Sequence, residues 1–327
     1  LRVLVTGATG FIGTALVERL IGTGHDVRAL VRSTSRTAAL ERLGVELVRG
    51  ELSDRAVLAR AIAGCERVFH VAGIVKALSA SELFRANADA TRNVAEACAA
   101  AATPPVLVYV SSLAAAGPAL DGRPRCEEDP PAPVSLYGES KLAGEDAVRA
   151  LAAHVPATIV RPPIVYGAHD RELVPQLVRM ARLGVVVRTG RPKRYSVLHV
   201  SDLGDALVAA AERGRRVRGA GPDGVYFLED GAEHTWDEIA LAACAALGRR
   251  ARVLPVPEVA GVVVAAGSSL IAAVTRVPSI LSFDKVKELR QSAWTCTAAR
   301  AARELGFAPQ FPLAEGMREA VGPYQQG

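Results

Sequence analysis

The sequence predicts an α/β fold: a doubly wound parallel sheet with a smaller, interleaved C-terminal lobe. Three observations predict it. The N-terminal half alternates short β-branched runs with helical runs. A glycine-rich turn joins the first strand to the first helix. Half of the 327 residues are apolar and only 22% are charged, which supplies a large core and excludes a disordered chain.

Residues 2–5 read as a strand and 11–21 as a helix, with Ile12, Leu16 and Leu20 four apart. Further strands are predicted at 26–31, 45–48, 67–71 and 106–110, with helical segments at 54–63 and 81–102 between them. Right-handed crossovers then place every strand's C-terminal end along one edge. After about residue 160 the rhythm changes. Strands are expected at 158–164, 197–200 and 225–228, and helices at 203–212, 236–247 and 298–305. This divides the chain into a nucleotide-binding part, 1–165 with 196–230 returning to it, and a substrate lobe, 166–195 with 231–327.

Composition narrows the function classes. Aromatic residues are only 5%, which disfavours stacking platforms for carbohydrate or single-stranded nucleic acid. The net charge is +5, and the basic residues are 34 arginines and five lysines. They read as scattered over a solvated surface, densest at Arg213, Arg215, Arg216 and Arg218, and no nucleic-acid partner is expected. Cys65, Cys98, Cys126, Cys244 and Cys296 are widely spaced without a Cys-x-x-Cys, and no metal-ligand cluster stands out. That usage fits a reducing, cytoplasmic setting, and a strand starting at residue 2 leaves no room for a signal peptide. Residues 259–275 are the most apolar stretch, broken by Gly267, Ser268 and Ser269, and are marginal for a bilayer span. A buried or interfacial helix is expected there, with peripheral membrane contact as the alternative.

Thr6-Gly7-Ala8-Thr9-Gly10-Phe11-Ile12-Gly13 follows a strand and opens a helix. Gly7 permits the tight turn, Gly10 lets the backbone approach a pyrophosphate, and Gly13 allows close packing of helix on sheet. Free amides at the helix start face the phosphate, with Thr9, Phe11 and Ile12 in contact. An NAD-selective site ends the second strand in a carboxylate, whereas this one ends Leu30-Val31-Arg32-Ser33. Arg32 is placed to meet a 2′-phosphate, with Arg36 nearby, so NADP(H) is favoured and NAD(H) is the alternative. Glu51 and Leu52 lie where the adenine edge would be, and Ala72 and Gly73 give a small-residue floor for the adenosine ribose.

Tyr137-Gly138-Glu139-Ser140-Lys141 carries the second signal. Six tyrosines and five lysines give roughly 0.1 chance Tyr-x-x-x-Lys matches in a chain of this length. On a helix the two side chains share one face. A lysine ammonium beside the phenol is expected to lower the tyrosine pKa and suit it to proton exchange with a hydroxyl or ketone. Ser111 and Ser112 end the strand at 106–110. Ser112 is the expected oxygen-binding hydroxyl, with Ser111 nearer the nicotinamide. His70 reads as a packed structural histidine and Asp202 as a helix-start carboxylate. Trp236 and Trp294 read as lobe-packing residues, and Glu127-Glu128-Asp129 as a solvated loop.

Together these motifs, with Arg161-Pro162-Pro163-Ile164-Val165-Tyr166-Gly167 and His199-Val200-Ser201-Asp202-Leu203, resemble an extended short-chain dehydrogenase/reductase of the NAD-dependent epimerase/dehydratase-like superfamily. The match runs in order from residue 2 to about 320. The resemblance implies a Rossmann sheet, a nicotinamide cofactor, a catalytic set of Ser112, Tyr137 and Lys141, and nicotinamide contacts along Pro162, Pro163, Ile164 and Val165. Lys141 would also bond the nicotinamide ribose. A helix-mediated homodimer is common in that superfamily. The sugar-nucleotide branch usually has an acidic end to its second strand and an arginine where Tyr195 stands here. The chain is more similar to the dihydroflavonol reductase and 3β-hydroxysteroid dehydrogenase-like branch. The loop 75–81 and the apolar region 256–277 would suit a hydrophobic substrate. The expectation is an NADP(H)-dependent oxidoreductase that interconverts a ketone and a secondary alcohol. The alternatives are a sugar-nucleotide epimerase or dehydratase with retained NAD(P), and a non-catalytic NADP-sensing binding protein.

Overall fold

The computed structural model describes residues 1–257, 287, 288 and 290–325. Seven parallel strands form the main sheet: β1 (Arg2–Thr6), β2 (Asp26–Val31), β3 (Glu46–Arg49), β4 (Arg67–His70), β5 (Val106–Val110), β6 (Ala157–Arg161) and, after a long excursion, Val225–Phe227. The spatial order is β3, β2, β1, β4, β5, β6 and then Val225–Phe227. The chain winds outward one way from β1 and, from β4, the other, so the crevice between β1 and β4 is the topological switch point where such sheets bind ligands. β1 and β5 are buried on both faces, as their unbroken apolar runs require.

Helices cover both faces. α1 (Phe11–Gly22) packs with Val200–Arg213 on one side, where Leu16, Val17, Leu20, Leu203 and Leu207 meet the odd-numbered residues of β1. On the other side lie α3 (Arg55–Ile62), reached after the short α2 (Ala38–Arg42), then a broken helix over 80–99, and the long helix Leu136–Ala150. The helix expected at 81–102 is three pieces: α4 (Ala80–Phe84), a π-helical turn at Arg85–Asp89, and α5 (Ala90–Ala99). The wide turn carries the fully buried Asn87. After the four-residue α6 (Leu113–Ala116) comes α7, the helix Leu136–Ala150 that bears Tyr137 and Lys141.

The strand expected at 158–164 divides in two. β6 stops at Arg161, and Pro162 and Pro163, which have no amide to donate to a ladder, turn the chain. The chain resumes as β7 (Ile164–Tyr166) in a separate parallel pair with Val197–His199. A second core forms from α8 (Leu173–Leu183), α10 (Trp236–Ala246) and the late helix Leu313–Val321 around Tyr166, Leu177, Ile239 and Met317; α9 is Val200–Arg213. β8 (Val185–Thr189) joins it as half of a two-stranded parallel sheet with Arg252–Val256. Neither α8 nor β8 was expected from the sequence. The chain region 256–277 falls outside the described residues beyond Pro257, as does 259–275 entirely. Among the described residues no helix is long and apolar enough to cross a membrane.

Several loop residues depart from expectation. Glu127 and Asp129 are buried rather than solvated. Glu127 accepts the amide of Phe227, Asp129 pairs with Arg123 and accepts the amide of Cys126, and Glu128 pairs with Arg300. Arg216 donates to the carbonyls of Ala210 and Ala211, so one member of the expected solvated cluster closes the end of α9. His70 is fully buried between the hydroxyls of Thr6 and Thr91, and burial lowers its pKa to about 3, as a packed structural histidine requires.

Candidate active site

The switch-point crevice is built by close backbone contact. Gly7 has φ 75°, which favours glycine, and a Cβ there would lie 2.7 Å from the amide nitrogen of Ala72. A Cβ on Gly13 would lie 2.0 Å from the Gly7 carbonyl oxygen. Gly13 therefore seats α1 against the turn itself, not against the sheet as its spacing suggested. Around Gly10 a Cβ would meet only that same oxygen, at 3.2 Å. The N-terminus of α1 has no side-chain cap and no acidic residue in its first turn. Its open amides and dipole fit a dinucleotide pyrophosphate.

The residues expected to meet the adenosine lie in the open. Arg32 is exposed beyond β2, and its amide donates to the Ser35 hydroxyl. Arg36 and Glu51 are exposed, and Leu52 is half-buried with its carbonyl held by Asn93. Thr9, Phe11, Ile12 and Ala72 are half-buried, and Gly73 is exposed. A Cβ on Gly73 would stand 3.6 Å from Nζ of Lys141, so the floor beside Gly7 runs directly into α7.

At the other end the polar groups are half-buried to buried, with Ser111, Lys141, Glu145 and Arg161 enclosed. Ser112 follows the end of β5 and caps α6 by accepting the amide of Ala114, and its hydroxyl lies near enough to the Tyr137 phenol to pull that group's pKa down. Lys141 is buried, donates to the Val110 carbonyl at 2.7 Å, and lies 4.5 Å from the centre of the Tyr109 ring. The expected lowering of the Tyr137 pKa is not found. Burial pushes it up to about 12, opposed by the nearby Ser112 hydroxyl and reinforced by Glu288. The reason is geometric: Lys141 is drawn to the β5 carbonyl, and burial lowers its own pKa to about 7 against the pull of Glu145.

Ser111 is turned inward. Its hydroxyl donates to Glu145 at 2.6 Å. Glu145 also receives a two-pronged contact from Arg161, at 2.8 and 2.6 Å, and a third partner in Arg149. Pro162 is buried and its carbonyl accepts the amide of Leu113, while Pro163, Ile164 and Val165 are half-buried at the same edge.

Sequence reasoning missed four contributors. Asn87 bonds both backbone groups of Ile74 and the hydroxyl of Ser140. Glu145 and Arg161 form the buried pair, and Glu288 accepts from Ser135, the cap of α7. Only Glu145, one helical turn beyond Lys141, had a readable spacing. Asp202 does not pair with His199. It anchors the amides of Gln310 and Phe311, while His199 contacts Glu319.

A family model described as the NAD dependent epimerase/dehydratase family matches residues 3–221. The chain belongs to that family. A ceramide reductase of Caulobacter vibrioides is 36% identical to it, over 99% of this chain and 94% of its own. A 4-hydroxy-2-methyl-3-oxo-4-farnesyl-3,4-dihydroquinoline-1-oxide ketoreductase of Stigmatella aurantiaca is 32% identical, over 100% and 98%. The solved structure of MoeE5 in complex with UDP-glucuronic acid and NAD superposes with a TM-score of 0.76 at 26% identity, over 100% and 99% of the two chains. This epimerase/dehydratase-family member is an NAD(P)-dependent oxidoreductase with the extended short-chain dehydrogenase/reductase fold.

Proposed function

We propose that the enzyme interconverts a ketone and a secondary alcohol on a small, apolar substrate, with NADP(H) as redox partner. The observation that carries this reading is the placement of Ser112, just past the end of β5, with Tyr137 and Lys141 on α7, beside the glycine floor that continues from Gly7 through Ala72 and Gly73 to Lys141. The names of the two reductase relatives support a carbonyl substrate with an apolar body.

When bound, the nicotinamide supplies or accepts the hydride. Gly7, Thr9, Gly10, Phe11, Ile12 and Gly13 hold the pyrophosphate, Arg32 the 2′-phosphate, and Glu51, Leu52, Ala72 and Gly73 the adenosine. Pro162, Pro163, Ile164 and Val165 line the nicotinamide side, and Lys141 reaches its ribose. Ser112 Oγ bonds the reacting oxygen of the substrate. Tyr137 Oη gives that oxygen a proton in reduction and takes it back in oxidation. With its pKa pushed up to about 12, the phenol meets a ketone already protonated at neutral pH. The substrate side is assigned to 166–195 and to the described part of 231–327, except 298–307, which pack into the core of the cofactor side formed by 1–165 and 196–230.

The test is Tyr137→Phe. Turnover should fall by about 10²–10⁴-fold, with dinucleotide affinity unchanged in a fluorescence titration. Near-normal turnover rejects the mechanism. Copurified dinucleotide with no net NADPH consumption would move the reading to an epimerase or dehydratase.

A further inference from the structure

The second lobe concentrates positive charge that the sequence distributes. From Leu173 to Ser201 the chain has six basic residues and no acidic one, and from Ile239 to Pro257 three basic and no acidic. Those stretches hold nine of the 39 basic residues and none of the 34 acidic ones, so the remaining chain is net negative. β8 and Arg252–Val256 bring the two stretches side by side, in register from Arg252 opposite Val185 to Val256 opposite Thr189. Arg188 pairs with Asp237 and Arg194 with Glu233. Among the described residues no carboxylate pairs with Arg179, Arg191, Arg249, Arg250 or Arg252, all of them exposed.

The same face is apolar where a half-buried sheet should be polar. Strand side chains alternate, and Val186 points into the second core. Its neighbours therefore point outward, and Val187 opposite Leu254 forms an exposed apolar pair, 39% and 51% accessible. Leu183, at the end of α8, is 69% accessible.

We propose that this face docks on a bilayer containing anionic phospholipid. Unpaired arginines around exposed aliphatic side chains match a charged headgroup layer over acyl chains. A nucleic acid would use the charge but would leave Leu183, Val187 and Leu254 without a partner. The sequence after Pro257 leads into residues 259–275, the most apolar stretch of the chain. The proposal stands apart from the chemistry assigned to Tyr137, since none of these residues touches that site.

The test is co-sedimentation of the full chain with vesicles of phosphatidylcholine, alone or mixed with phosphatidylglycerol. Binding is expected only to the mixed vesicles and should weaken as salt rises. The R249E/R250E/R252E protein should lose on the order of a hundredfold in partitioning. The V187T/L254S protein, with its charge intact, should lose a few-fold. Thermal melts of both variants establish that they fold. Wild-type partitioning by the folded charge-reversal protein overturns the proposal, as does equal binding to neutral vesicles. Tight duplex-DNA binding without vesicle binding also overturns it and assigns the face to nucleic acid.

Discussion

The two ends of the crevice are built differently. At the end proposed for the adenosine, Arg32, Arg36 and Glu51 are exposed, and their placement follows from strand ends and turns a few residues long. At the end proposed for catalysis, Ser111, Lys141, Glu145 and Arg161 are buried, and each is held by partners from other elements. An exposed arginine in water can be removed without leaving a stranded charge. A buried carboxylate with three partners cannot, because the groups it leaves behind have lost their water as well. Selectivity at the first end is thus separable from stability, and at the second it is not.

The largest expected effect tests that coupling. Glu145→Ala strands Arg161 in a nearly water-free site and should cost about 3–5 kcal/mol of unfolding free energy, read by urea titration. A cost near that of a surface change would show that the pair is not what holds α7 to β6.

The next effect is pH-dependent. Burial lowers Lys141 from its ordinary 10.5 to about 7. Between those values the unfolded chain holds a proton that the folded chain has released, so this residue's contribution makes stability rise with pH across that window. The cost of burying the charge is full below pH 7 and gone above 10.5. In dinucleotide-free protein, Lys141→Met should be stabilising near neutrality by a few kcal/mol, and that gain should vanish toward pH 10.5. A gain independent of pH would mean that the lysine stays charged when buried.

The smallest effect is expected at the open end. Arg32→Ala should weaken NADP(H) binding by about 1.5–3 kcal/mol, the usual worth of a hydrogen bond to a charged group, with little change for NAD(H) and none in melting temperature. Equal losses for both dinucleotides would remove the 2′-phosphate from the reading. A lowered melting temperature would erase the contrast between the two ends.

Much of the frame was legible. The alternation of strands and helices, the glycine turn and the Tyr137–Lys141 spacing are properties of residues within one or two turns of each other, so the sequence displays them directly. The two prolines after Arg161 were visible, but a single strand was expected through residue 164, and the structure shows that the strand ends before them. The charge balance was legible only as a total. Its segregation onto one face needed the pairing of β8 with Arg252–Val256, two strands that are 67 residues apart in the register of Val187 with Leu254.

What the sequence by itself determined is the local chemistry: which turn requires glycine, which helix start lies open to an anion, and which helix face carries a phenol and an amine. What only the tertiary structure decided is the electrostatic state of those groups. Ser111 meets Glu145 across 34 positions and Ser135 meets Glu288 across 153. Lys141 turns to a carbonyl of β5 instead of to the tyrosine one turn away. A pKa depends on burial and on the partners that folding brings near, and no spacing along the chain encodes either.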